Sequence, residues 1–164
     1  MYISLDPVNR RTPQTSKIIS DYAEKGDCEK QYAIGTARVP FAVKSDVRTL
    51  SVLINNVAGT MILDTGASFV SISSQFAFRA RVPTESGSQV IMKTVGGKVS
   101  ADIGYANSIS VGKAVAFGVT TAVMRGDGDA FGKGVDGLLG MSFLSRFNVR
   151  LSPTGVEMSA TPLR

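Results

Sequence analysis

The 164-residue sequence contains no histidine, and this absence excludes more chemistry than any other feature of its composition. Ser-His-Asp and Cys-His catalysis, histidine general bases and His-ligated zinc all require an imidazole. The single cysteine, Cys28, can neither close an intramolecular disulfide nor build a cysteine-rich metal site. No apolar stretch approaches the ~18 residues of a membrane span. The N-terminal residues hold no apolar core of about 7–15 residues, so no signal peptide is expected there. Charge of one sign is also scarce locally. The net is +5, from 18 Lys and Arg against 13 Asp and Glu, with no long run of like charge and no aromatic–basic interleaving. A solvated surface is expected, with no nucleic acid bound and no membrane contact by this chain itself. Any chemistry must run on Asp, Glu, Lys, Ser, Thr or Tyr.

What is present favours strands. Hydrophobic residues make up 43% of the chain, Gly numbers 17, and Val, Ile, Thr and Ser are plentiful. A chain of this length buries roughly 70% of its unfolded surface, enough for one domain without staples. Residues 1–36 differ from the rest. Asp6-Pro7, Arg10-Arg11 and Thr12-Pro13 read as loop, and residues 15–33 could hold a helix with Ile18, Ile19, Tyr22 and Ala23 on one face, broken by Gly26. This segment reads as an N-terminal extension, partly helical or disordered, with the domain proper at 37–164.

From residue 37 onward the pattern is β. Leu50, Val52 and Ile54 alternate with polar residues ahead of Asn55-Asn56, and Thr60-Met61-Ile62-Leu63 reads as a buried strand. Residues 71–80 form a helix candidate containing Phe76 and Phe78. Residues 89–94 and 98–105 flank Gly96-Gly97, a hairpin signal. Residues 108–111 and 114–123 predict two more strands around Gly112-Lys113. One helical turn is expected at 142–146, and residues 149–151 and 156–160 form a last hairpin around Pro153-Thr154-Gly155. Many short strands with one or two short helices predict an all-β, barrel-like fold.

Three motifs fail on context. Gly132-Lys133-Gly134-Val135-Asp136-Gly137 matches a dinucleotide fingerprint, but a polar loop precedes it where a buried strand is needed. Asp127, Asp129 and Gly132 imitate a calcium loop, but Phe131 and Leu138 stand where oxygen ligands belong. Ser110-Val111-Gly112-Lys113 spells a serine–lysine pair on a strand end and turn, where a helix face is wanted. The informative segment is Met61-Ile62-Leu63-Asp64-Thr65-Gly66-Ala67-Ser68. An apolar strand runs into a carboxylate that has no cation nearby in sequence. Burying such a group is costly unless it is hydrogen-bonded or protonated. Thr65 and Ser68 can donate hydroxyl bonds, and Gly66 allows a sharp turn that brings amides close. An Asp capping a turn at a strand end would show the same tetrapeptide.

Asp64-Thr65-Gly66-Ala67 after an apolar strand resembles the active-site loop of the retropepsin-like aspartic proteases. Two further features fit in order: the Gly96-Gly97 hairpin, where that family has its flap, and Gly137-Leu138-Leu139-Gly140-Met141-Ser142-Phe143-Leu144, which resembles its second signature. The resemblance covers roughly residues 40–162 and is nearest to the bacterial, membrane-tethered or periplasmic branch. Viral members usually carry a polar or charged residue where this chain has Met141. The resemblance implies a closed acid-protease barrel and an aspartic endopeptidase needing no cofactor and no metal. Asp64, Thr65 and Gly66 would be catalytic, and Ala67, Ser68, Val95, Gly96 and Gly97 would contact an extended polypeptide substrate. One Asp-Thr-Gly per chain implies a homodimer, with residues 155–162 as candidate interleaving strands. The alternative is a non-catalytic dimeric binding or assembly module of the same fold.

Overall fold

The computed structural model describes residues 32–44, 47–94, 97–126 and 130–161. The helix expected within residues 15–33 falls almost wholly outside them. Strand pairing begins at β1 (Ala33–Ile34), ahead of the expected domain start at residue 37. Among the described residues, twelve strands and two short helices form a nine-stranded sheet and a three-stranded sheet. No helix among them is long and apolar enough to cross a membrane.

Local sequence explains the first hairpin. In β4 (Val47–Ile54), Leu50, Val52 and Ile54 are buried while Ser51 and Leu53 face outward, as a strand with one wetted face requires. Asn55 and Asn56 follow with φ of 49° and 66°. Two left-handed residues make the tight turn whose twist matches the flanking strands, and Asn tolerates that conformation. The Asn55 side chain then does more. Its Nδ2 donates to the Ala80 carbonyl at 2.9 Å, and its Oδ1 accepts from the Asn107 and Ser108 amides at 2.8 and 3.2 Å. The chain returns as β5 (Val57–Leu63), antiparallel to β4.

The larger sheet closes on itself. Around the ring run β9 (Ala114–Met124), β6 (Val70–Ser73), β10 (Gly137–Leu139), β5, β4 and β8 (Gly97–Val111), and the pairing of β8 with β9 completes it. β10 is the decisive insertion. It lies parallel to β5, with Leu139 opposite Leu63, and antiparallel to β6, with Gly137 opposite Ile72. Strands β5 and β6 are consecutive in sequence yet separated by β10. The connection between them, residues 64–69, must therefore pass over the end of β10. Gly137 makes this insertion possible, since a Cβ there would lie 2.1 Å from the Ser71 carbonyl oxygen.

Asp136 pins the start of β10. Its amide donates to the Thr60 carbonyl at 2.8 Å, and its Oδ2 accepts from the Thr60 amide at 2.8 Å. Oδ1 meets Arg79 Nη2 at 3.0 Å, and its carbonyl accepts from the Ser73 amide at 3.0 Å. The Asp-Gly ahead of the second signature is thus a brace joining β5, β6 and the helix α1 (Ser74–Arg79). Inside the ring, Leu50, Ile54, Met61, Ile72, Phe76 and Phe143 are fully buried.

Three expectations are corrected. Residues 71–73, read as helix, complete β6; the helix starts only after Ser73, whose side chain accepts from the Phe76 amide and caps it. Residues 108–111 are not a separate strand but the end of the fifteen-residue β8. The terminal strand β12 (Gly155–Ala160) does not offer a free edge for interleaving. It is the centre of the three-stranded sheet, between β11 (Phe147–Leu151) and β2 (Thr36–Pro40), so its backbone groups are satisfied within its own chain. An Arg38–Glu157 ion pair crosses the polar face of that sheet.

Candidate active site

The loop over the end of β10 carries the segment singled out in the sequence. Its backbone is tied on both sides. The Asp64 amide donates to the Leu139 carbonyl at 3.1 Å, extending the parallel pairing of β5 and β10 by one residue. The Ala67 amide donates to the Asp64 carbonyl at 3.3 Å, and the Met141 amide to the Ala67 carbonyl at 2.7 Å. Gly140 sits where these segments cross. A Cβ there would lie 2.1 Å from the Phe69 carbonyl oxygen and 2.8 Å from that of Ala67. Its φ of −97° and ψ of −170° suit any residue, so it is the close approach of backbone that requires glycine.

The Asp64 carboxylate is half-buried, and its Oδ1 accepts from the Gly66 amide at 2.9 Å. The Thr65 and Ser68 hydroxyls, expected to hold it, do not: both residues are exposed, and among the described residues neither bonds the carboxylate. Gly66 also acts differently from the expectation of a special turn conformation. Its φ is not positive; a Cβ would stand 3.2 Å from Asp64 Oδ1, so glycine leaves room for the amide–carboxylate bond. Ala67 is half-buried and faces the start of the helix α2 (Met141–Leu144) through its carbonyl. Thr65, Gly66 and Ser68 together form an open face beside Asp64.

The hairpin of β7 (Thr84–Thr94) and β8 bears the other expected site residues. Its pairing runs out to Thr94 opposite Gly97. Gly97 has φ of +119°, a conformation that favours glycine. Val95 and Gly96 lie outside the described residues. On the inner face of this hairpin, Val90 and Ala101 are buried with Phe69, Ile103, Ala122 and Met124, and Met92 and Val99 pack against them. Phe69 belongs to the loop of Asp64, so the hairpin's apolar side rests next to that loop. Neither Phe69 nor this second cluster was visible as a site feature in the sequence.

Ser142 was also passed over, though it lies in the second signature. It is fully buried; its Oγ accepts from the Val70 amide at 2.8 Å and donates to the Thr120 carbonyl at 2.7 Å. One hydroxyl thus joins α2, β6 and β9 under the loop. Ser142→Ala is expected to cost about 1–3 kcal/mol, because the Val70 amide would be left buried without its partner. A urea unfolding series checks this, and an unchanged midpoint would show that the amide finds another acceptor.

These features, a six-strand ring, a strand inserted between β5 and β6, and an Asp-Thr-Gly loop over its end, define a class. The model of the aspartyl protease family matches residues 50–143, more than half of the chain, and the chain belongs to that family. Its fold is the retropepsin-like one. The retropepsin-like aspartic protease from Rickettsia conorii superposes with a TM-score of 0.54 and 24% sequence identity, over 77% of this chain and 95% of that one. The EIAV protease, solved in complex with the inhibitor HBY-793, aligns with a TM-score of 0.44 and 21% identity, over 63% of this chain and 90% of the other. No curated protein matches the chain in sequence.

Proposed function

We propose that this chain is an aspartic endopeptidase that works as a homodimer, each protomer supplying Asp64 to one shared site. The observation that carries this reading is the half-exposed Asp64. It receives a hydrogen bond from the Gly66 amide of its own loop and stands beside an open face of Thr65, Gly66 and Ser68. A second copy of that face, brought up by two-fold symmetry, supplies the second carboxylate that hydrolysis by aspartates needs.

In the paired site the two carboxylates share one proton, since like charges about 3 Å apart cannot both ionise. The ionised carboxylate takes a proton from a water molecule as its oxygen attacks the scissile carbonyl carbon. The protonated one gives its proton to the carbonyl oxygen. Collapse of the tetrahedral species breaks the C–N bond, with a proton delivered to the leaving nitrogen, and yields an acid and an amine. The pair titrates as a unit. Thr65 from each chain would bond across the axis through its exposed hydroxyl. Ala67 and Ser68 would flank an extended substrate that adds backbone hydrogen bonds like an extra strand. The β7–β8 hairpin, whose pairing reaches Thr94 and Gly97, would serve as a flap that excludes water, and Val95, Gly96 and Gly97 would contact the substrate. Both edges of β12 are paired within the chain, so the protomers would not join by strand addition at β12.

A dilution series tests the two-chain mechanism. With an unstructured polypeptide as substrate, between about pH 4 and 7 where a shared-proton pair is competent, specific rate should fall as protein is diluted below the dimer dissociation constant. Sedimentation should show monomer over the same range. A monomer that cleaves with undiminished specific rate overturns the mechanism. A stable dimer that cleaves nothing points instead to the binding or assembly module.

A further inference from the structure

The β7–β8 hairpin leaves the barrel wall at a definite rung. β8 pairs with β9 from Val111 opposite Ala114 to Ala101 opposite Met124, where β9 ends. Beyond that rung, among the described residues, the arm pairs only strand to strand, from Ile91 opposite Ser100 to Thr94 opposite Gly97. A lone two-stranded ribbon is marginally stable. On the other side of the rung, β7 is irregular: its register shifts between Thr84 and Gln89, and Gly87 has φ of +82°. The arm springs from a kinked strand at the last rung where β9 pairs with it.

Arg125 occupies that place, immediately after β9. Its Nε donates to Asp102 Oδ1 and Oδ2 at 3.2 and 3.1 Å, and its Nη2 donates to Oδ1 at 2.8 Å. Asp102 lies on β8 directly opposite Gln89 on β7. The Gln89 amide oxygen, turned toward the guanidinium, accepts from Nη2 and Nη1 at 2.5 and 3.2 Å. One rigid planar fork therefore grips both strands of the hairpin at a single rung, which a lysine could not do. The hydrogen bond donated to Asp102 and the charge of that carboxylate raise the Arg125 pKa. On the opposite face of the arm, Met92 and Val99 pack against the apolar cluster to which Phe69 of the Asp64 loop belongs.

We propose that Arg125 is a positioning residue, a latch across Asp102 and Gln89 that limits how far the β7–β8 arm lifts from the Asp64 loop. The inference rests on the reading of that arm as a flap over substrate. An ion pair this exposed contributes little to global stability. At a hinge, however, only the difference between raised and lowered states matters, and the fork fixes Gln89 and Asp102 on the barrel side of the last supported rung, so that the arm lifts only beyond it.

Amide hydrogen exchange on the full chain tests the latch without reference to catalysis. In Arg125→Gln and Asp102→Asn, exchange across residues 90–100 should rise about two- to fivefold, the range expected of a surface ion pair, with amides of β4 and β5 unchanged. Arg125→Lys, which keeps the charge and loses the fork, should fall between. On an extended peptide substrate, KM should rise by a similar factor while kcat changes less. Unchanged exchange across 90–100 in both variants overturns the proposal. So does an equal rise in β4 and β5, or failure of both variants to fold, since either marks a general structural tie. If only one variant folds poorly, the other decides. Faster exchange in a protein that cleaves nothing leaves the latch standing and removes the flap reading alone.

Discussion

Asp64→Asn is expected to lower peptide hydrolysis by roughly 10³-fold or more, because positioned acid–base groups contribute about 10²–10⁴ each and the substitution removes both carboxylates of the proposed homodimer at once. The fold should survive it. Asp64 is half-buried, and its side chain accepts from the Gly66 amide, a bond that an Asn oxygen can still accept. The backbone bonds that hold the loop, Asp64 to Leu139 and Met141 to Ala67, involve no side-chain atoms of residue 64. Unfolding midpoint and rate should therefore separate: stability within about 1 kcal/mol of wild type, activity gone. A purified variant that still cleaves at near wild-type rate would remove Asp64 from the chemistry. A variant that fails to fold would make Asp64 a turn brace.

Gly140→Ala should do the reverse, destroying stability and activity together. The added Cβ meets carbonyl oxygens of Phe69 and Ala67 at 2.1 and 2.8 Å, and both are backbone atoms that cannot rotate away. Relief requires the Asp64 loop and the start of α2 to separate, breaking the Met141–Ala67 bond of 2.7 Å. A loss of about 3 kcal/mol or more is expected, in the upper range for overpacking. Gly134→Ala makes a useful comparison. There φ is +76° but nothing lies within 4 Å of a Cβ, so only backbone strain is added and the loss should be smaller. Equal unfolding midpoints for the two variants would show that the crossing can spread, and that steric closeness at Gly140 does not hold the site together.

Much of this was legible in the residues because it is local. Alternation over Leu50, Val52 and Ile54, the Asn55-Asn56 turn, Gly97 at the outer end of the β7–β8 pairing and the last hairpin around Thr154 each depend on neighbours a few positions apart. The Asp-Thr-Gly loop stood out for the same reason. The short strand β6 did not. Its four residues run straight into α1 with no Gly or Pro between them, so the helix was read back over residues 71–73. Nor did the true length of β8, which was read as two strands, whereas β9 was read to within one residue. In β8 the adjacent residues Ile103 and Gly104 are both buried, so the alternation that marks a one-sided strand breaks there.

By itself, then, the amino-acid sequence determined the β class, the hairpins, the absence of imidazole chemistry from the catalytic options, and Asp64 as the residue to watch. Tertiary structure alone decided where that Asp sits and what holds it. The insertion of β10 between β5 and β6, the Gly140 crossing, the Asp136 brace, the central place of β12 and the Arg125 fork all join segments far apart in the chain. Such contacts are chosen by register and burial across the whole ring. No local period encodes them, because each depends on a partner strand that the sequence supplies elsewhere.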